Sequence, residues 1–171
     1  QVEEVAAQVD FVFSAVDMSK DEIRAIEEAY AKAEVPVVSN NSAHRWTPDV
    51  PIMVPELNPE HAEIIPYQRK RLGTKRGFIA VKPNCSIQSY TPALHALREF
   101  EPTLVVATTY QAISGAGKTF KDWPEMIDNV IPYIAGEEEK SEQEPLRIWG
   151  KIEDGEHDLV DLGLKFLFLL F

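Results

Sequence analysis

The sequence predicts an α/β protein organised around a parallel sheet. Short apolar runs at residues 10–16, 35–39, 77–81 and 103–110 alternate with segments of helical spacing. Ser19-Lys20-Asp21-Glu22 reads as a capping box that opens a helix between the first two runs. Two strands joined through one helix require a parallel, right-handed crossover.

Each element follows from local chemistry. After the first strand, Ile23, Ile26, Tyr30 and Ala33 form a helical stripe that must stop before Pro36. Pro48, Pro51, Pro55 and Pro59 keep residues 47–59 extended, because each fixes φ and removes an N–H donor. The run 77–81, bounded by Gly77 and Pro83, is a buried strand. Ile87, Tyr90, Leu94, Leu97 and Phe100 then give a helix with Ser86 as its expected N-cap, and Pro92 delays or kinks it. Residues 103–110 are β-branched and apolar, hence a strand. Residues 118–134 are expected to be mostly helical, with Pro124 near the start and Pro132 near the end, and the acidic stretch 136–144 to be a solvated linker without a metal site.

Composition narrows the function classes. A net charge of −11 repels nucleic acid and anionic membrane, so neither is expected as a partner. The single cysteine leaves no internal disulfide, and no secretory signal pattern opens the sequence; together these point to the cytoplasm. The apolar tail at 162–171 has about half the length of a bilayer span, so it is expected to be a buried helix or strand. Left exposed, it would drive association.

Chemistry concentrates in Pro-Asn-Cys-Ser at 83–86. There the chain passes from strand to helix, and the free N–H groups and positive dipole end of a helix favour a thiolate. On its own a lone cysteine is more often a small buried hydrophobe and Arg45 more often a surface charge, while Asn84 alone reads as a turn residue and Gln111 as a polar loop residue. The histidines His44, His61, His95 and His157 show no zinc-like pairing and read as structural or exposed.

Five segments resemble aspartate-β-semialdehyde dehydrogenase, in its archaeal and fungal style. They are F-V-F-S-A-V-D at 11–17, V-P-V-V-S-N-N-S-A-H-R at 35–45, V-P-E-L-N at 54–58, G-F-I-A-V-K-P-N-C-S at 77–86 and T-T-Y-Q-A-I-S-G-A-G at 108–117. Glyceraldehyde-phosphate dehydrogenases and N-acetylglutamyl-phosphate reductases carry different residues around their cysteine. The resemblance implies a remnant of a Rossmann-type sheet at 1–84, the first part of an α+β catalytic and dimerisation domain at 85–155, and a diverged apolar tail at 156–171.

It further implies NADP-dependent reduction of aspartyl-4-phosphate to the semialdehyde, a step in making lysine, threonine and methionine. Cys85 would form the acyl-enzyme, Gln111 orient its carbonyl, and Arg45 and Asn84 bind substrate and phosphate. Ser14, Ala15, Asn40 and Asn41 would line the cofactor cleft, with Ser114, Gly115, Ala116 and Gly117 meeting the nicotinamide. The sequence contains no G-x-G-x-x-G run and no match to the family's histidine base or carboxylate-binding arginine. It is therefore expected to be an internal fragment, inactive and with weak cofactor binding, and homodimeric. The alternative is a non-catalytic assembly module derived from that enzyme. In either case Cys85 should be accessible and face Gln111.

Overall fold

The computed structural model describes residues 1–158 and 165–170. A short helix, α1 (Val2–Ala6), precedes β1 (Val12–Ser14). The capping box then forms: the Ser19 N–H donates to the Glu22 carboxylate at 3.0 Å while the Ser19 hydroxyl accepts from the Glu22 amide. It opens α2 (Lys20–Lys32), which leads to β2 (Val37–Ser39). A 3-10 turn at Pro59–Ile64 runs into α3 (Ile65–Leu72), and β3 (Ile79–Val81) completes a parallel sheet of order β1-β2-β3. Val12 pairs with Val37, and Val37 with Ile79, in the expected parallel sense.

One face of this sheet is the core. Val37, Ile52, Ile79, Val81 and Ile87 are at most 1% exposed and form one cluster with Ala31 of α2 and with Ile148 and Trp149. The opposite face shows Phe13 at 75% and Val38 at 38% exposure. The outer edge of β3 is protected. Gln68 of α3 donates to the Ile79 carbonyl and accepts from its amide, while Met53 donates to the Val81 carbonyl. The Gln68 side chain and the backbone of residues 51–53 thus stand in for a fourth strand, leaving little open edge.

Then come α4 (Cys85–Ala96) and β4 (Leu104–Thr109), which pairs in parallel with β7 (Lys165–Leu170). The tail expected at 156–171 therefore contributes a strand, with residues 159–164 and 171 outside the described residues. Between them lie α5 (Glu137–Ile148) and the antiparallel pair β5 (Lys151–Glu153) and β6 (Glu156–Asp158). Pro92 sits inside α4 rather than ahead of it.

Three expectations are corrected. Residues 118–134 hold only a single 3-10 turn, Pro124–Met126, and Asp128 adopts φ 54°. Two prolines and a left-handed residue within 17 positions leave no uninterrupted run long enough to repay helix nucleation. The stretch 136–144 is not a solvated linker; most of it lies in α5, where Ser141 and Glu144 are buried. Gly136, at φ 75°, admits the turn, and three glutamates in the first turn suit the positive helix end. The N-cap of α4 is Asn84, not Ser86: its side chain accepts from the Ser86 amide at 2.9 Å.

Gly77 fixes how closely α2 approaches β3. A Cβ there would lie 1.8 Å from the Ala31 carbonyl oxygen, a backbone atom that cannot swing away. Gly77→Ala should therefore destabilise the chain by about 3 kcal/mol or more, since overpacking against backbone is not relieved by a rotamer change. Urea unfolding of the two forms checks this; equal midpoints would contradict the packing.

Candidate functional site

Parallel sheets gather ligand-binding groups at the carboxyl ends of their strands. Ser14 ends β1, Asn40 and Asn41 follow β2, and the Pro-Asn-Cys-Ser turn follows β3. Their geometry is fixed from below by Glu27 of α2, itself 1% exposed. Its Oε1 accepts from the Ser39 hydroxyl at 2.6 Å and from Asn41 Nδ2 at 3.2 Å, and the same amide donates to Ser14 Oγ at 3.0 Å. Asn40 and Ala15 lie exposed beside this network.

Cys85 is the first residue of α4 and is exposed. With Ser86, Ser89, Gln111 and the 112–115 turn it lines an open cleft of 470 Å³. Gln111 Nε2 donates to Ser86 Oγ at 2.8 Å, which holds the end of β4 against the start of α4. Cys85 and Gln111 thus share one cleft. Ser114, Gly115 and Ala116 belong to a 3-10 turn, Ile113–Ala116, that closes on Gly117 at φ 68°. Glycine serves there because side chains rarely adopt that conformation.

Arg45 is not a surface charge. It is 6% exposed; Nε donates to the Lys82 carbonyl at 3.1 Å, Nη1 to Glu144 Oε1 at 3.1 Å and Nη2 to the Asn40 carbonyl at 3.4 Å. Glu144 Oε2 accepts from the Asn84 amide at 2.7 Å, directly before the cysteine. Asn84 Nδ2 donates to Glu137, which is ion-paired with Lys140. Burial alone would raise the Glu137 carboxyl, but hydrogen bonds from Lys140, Asn84 and Gln111 hold it below the usual range. Lys82 is lowered, first by burial and then by Arg45, with Cys85 and Glu144 opposing.

The sequence reading missed Glu137, Lys140 and Glu144. The signal is there in the spacing: 137, 141, 144 and 148 share one face of a helix. That face is polar over three of its four positions, so a search for apolar periodicity passes over it.

The histidines are occupied elsewhere. His61, fully buried, donates from Nε2 to the Gly150 carbonyl at 2.9 Å, so the Nδ1 side faces Asn58 as an acceptor. His95 accepts from Trp149 Nε1 at 3.1 Å. His44 Nδ1 lies 3.0 Å from Thr47 Oγ1, and its Nε2 is 3.9 Å from Glu27. Burial outweighs the attraction of Glu27 and lowers the His44 pKa, so this contact joins a neutral ring to a carboxylate at neutral pH. His157 lies on β6. Among the described residues no cluster of His, Cys, Asp and Glu could hold a metal ion, and no helix is long and apolar enough to cross a membrane.

Fold and cleft define an α/β protein that presents an accessible cysteine at a helix start, beside a carboxamide. Comparison with known proteins agrees. Residues 1–65 match the description "Semialdehyde dehydrogenase, NAD binding domain" and residues 93–163 "Semialdehyde dehydrogenase, dimerisation domain". The chain belongs to the semialdehyde dehydrogenase family. It is 42% identical over 145 residues to aspartate-semialdehyde dehydrogenase of Aspergillus fumigatus, covering 84% of this chain and 39% of that one. It is 40% identical over 156 residues to that of Archaeoglobus fulgidus, covering 91% and 45%. A solved structure of aspartate semialdehyde dehydrogenase with NADP from Candida albicans superposes with a TM-score of 0.77 at 34% identity, over 96% of this chain and 46% of that one. The chain thus spans about two fifths of the length of the curated relatives it matches.

His44 and His61 make stability depend on pH. Burial lowers both below their ordinary 6.5. The unfolded chain therefore binds more protons than the folded one below that value, and stability present above pH 6.5 is lost as the pH falls through it toward the depressed folded values. Urea midpoints measured from pH 7.5 to 5 should fall steadily. His61→Asn should flatten that slope; an unchanged slope would show that His61 does not contribute.

Proposed function

We propose that this chain carries the acyl-accepting part of an NADP-dependent aspartate-semialdehyde dehydrogenase. The observation that supports it best is the single cleft in which Cys85, at the start of α4, lies beside Gln111. The Cys85 thiolate attacks the carbonyl carbon of aspartyl-4-phosphate; the C–S bond forms, the C–O bond to phosphorus breaks and phosphate leaves with the electron pair. Sulfur suits both halves of the reaction, as a strong nucleophile and later a good leaving group. Gln111, beside the sulfur, has its two amide N–H groups on Ser86 and Glu137, and one of them would turn to the thioester carbonyl. Arg45 has three of its five N–H donors committed within the protein, which leaves two for phosphate. Asn84 holds the turn through its cap and its bond to Glu137.

Ser14, Ala15, Asn40 and Asn41 at adjoining strand ends, and the small Ser114–Gly117 turn beside Gln111, would hold the nicotinamide side of a dinucleotide. NADPH, when bound, supplies the hydride that reduces the thioester carbon. A Gly-rich pyrophosphate loop is not among these 171 residues, so binding by this polypeptide alone is weak. His44, His61 and His95 are committed to Thr47, Gly150 and Trp149, so none of these three is read as the base of the proton-transfer step.

Boundaries at 1–84, 85–155 and 156–171 describe nucleotide-binding, catalytic and tail portions. Exposed Leu104, Val106 and Tyr110 on and after β4, within the stretch matching a dimerisation domain, support a homodimer and favour the assembly-module reading as second choice. Sedimentation across concentrations should give a dimer; a monomer throughout would refute it.

The 171-residue chain mixed with aspartyl-4-phosphate should release about one equivalent of phosphate and no more. A hydroxylamine-sensitive adduct should form on Cys85, and Cys85→Ser should abolish both. Steady turnover with NADPH, or no adduct, would overturn this reading.

A further inference from the structure

We propose that Glu144 is a positioning residue: its buried carboxylate, balanced by Arg45, holds the turn that presents Cys85 and sets how readily that thiol ionises. This rests on Cys85 being the nucleophile. Glu144 is 1% exposed on α5, and each of its oxygens has one task. One accepts from Arg45 at 3.1 Å; the other accepts from the Asn84 amide at 2.7 Å. Arg45 in turn donates to the carbonyls of Asn40 and Lys82. A single ion pair therefore ties together the residue after β2, the residue after β3 and the N-cap of α4.

The sulfur is one residue beyond the amide that Glu144 holds, so carboxylate and sulfur lie within about 10 Å. At that range, behind a protein wall, salt screens the charges poorly. Carboxylate opposes the thiolate and guanidinium favours it; with both present their effects largely cancel. Other charged or titratable groups around the turn are Lys82 before it, Tyr90 on α4, and Glu137 with Lys140 on α5. None of their side chains is hydrogen-bonded to Glu144 or Arg45 in the contacts above, while the Lys82 ammonium is lowered by Arg45 with Glu144 opposing, so changes at the pair reach it in the same sense.

The test is the pH profile of iodoacetamide alkylation, which reports Cys85 alone because the chain has one cysteine. Glu144→Gln leaves the guanidinium unbalanced, so the alkylation midpoint should fall by on the order of one pH unit. Arg45→Gln leaves the carboxylate unbalanced, so it should rise by a similar amount. The double variant should return toward wild type, and Glu144→Asp, which keeps the charge, should hold the wild-type midpoint even where it lowers the urea midpoint. A purely structural strut would instead move both single variants the same way; that result, or no shift in either, would overturn the proposal. Should either single variant fail to fold by circular dichroism, the double variant and Glu144→Asp decide, since both must match wild type. Opposite shifts in a chain that takes no acyl group from aspartyl phosphate would uphold the charge balance and overturn only the reading of Cys85 as acyl acceptor.

Discussion

The buried ion pair between Arg45 and Glu144 is the constraint on which the cleft depends. Arg45 comes from the loop after β2 and Glu144 from α5, 99 residues later in the chain. Neither charge is tolerable alone at that depth. Removing one partner of a buried pair typically costs about 3–5 kcal/mol, because the other is left desolvated. Each partner also satisfies backbone groups of the strand ends around it, so the pair fixes loops that have no regular structure of their own. Once α5 is held there, the Asn84 cap and the first turn of α4 follow, and with them the position of Cys85.

The same helix closes the hydrophobic core. Ile148 and Trp149, at its end, pack with Val37, Ile79 and Ile87 beneath the three-stranded sheet. Asn58, fully buried, donates to the Ile148 carbonyl, and His61 to that of Gly150. Arg147 donates to the carbonyls of Thr47 and Val50, with its guanidinium over the Trp46 ring, and burial lowers its pKa to about 10. Apolar burial and a buried hydrogen-bond lattice, in which Arg147 Nε is left without a partner among the described residues, thus act on one segment. The lattice determines which way the segment lies, since buried donors and acceptors leave few alternatives.

This explains which parts were legible in the sequence. The β1-α2-β2 unit is encoded locally, by a capping box, a helical stripe and a proline stop, and it forms accordingly. The Asn-Cys-Ser turn and Tyr110-Gln111 are short motifs whose chemistry survives any error of one or two residues in element boundaries. Misassigning the N-cap to Ser86 did not misplace Cys85. By contrast, α5 has five glutamates in its first eight residues and meets its core only through its last turn. Its helix is stabilised by tertiary partners that are distant in sequence, which composition cannot reveal. Residues 118–134, expected to be mostly helical, hold only a short 3-10 turn, because Pro124, Pro132 and the left-handed Asp128 prevent a longer run. The helix α3 was not expected from the sequence; it opens with Pro66, and proline is well tolerated in a first helical turn.

A second buried glutamate repeats the device on the other side of the cleft. Glu27, from α2, binds Ser39 and Asn41 and through Asn41 reaches Ser14, while Glu144, from α5, binds Arg45 and the Asn84 amide. Each glutamate lies on a helix packed near the sheet, and each reaches the carboxyl end of a strand. The two groups meet at the 40–45 loop, where Asn40 accepts from Arg45 and Asn41 donates to Glu27. That loop is consequently held from both sides. The wall bearing Ser14, Asn40 and Asn41 and the turn bearing Cys85 cannot shift independently without breaking a buried hydrogen bond to a carboxylate. Buried hydrogen bonds to charged groups are costly to leave unmade. A reaction that needs the reacting carbon held to a fraction of an ångström between a sulfur and a hydride donor gains from such coupling. Two acidic side chains, each costly to bury alone, supply it in a chain whose short strands could not impose that rigidity by themselves.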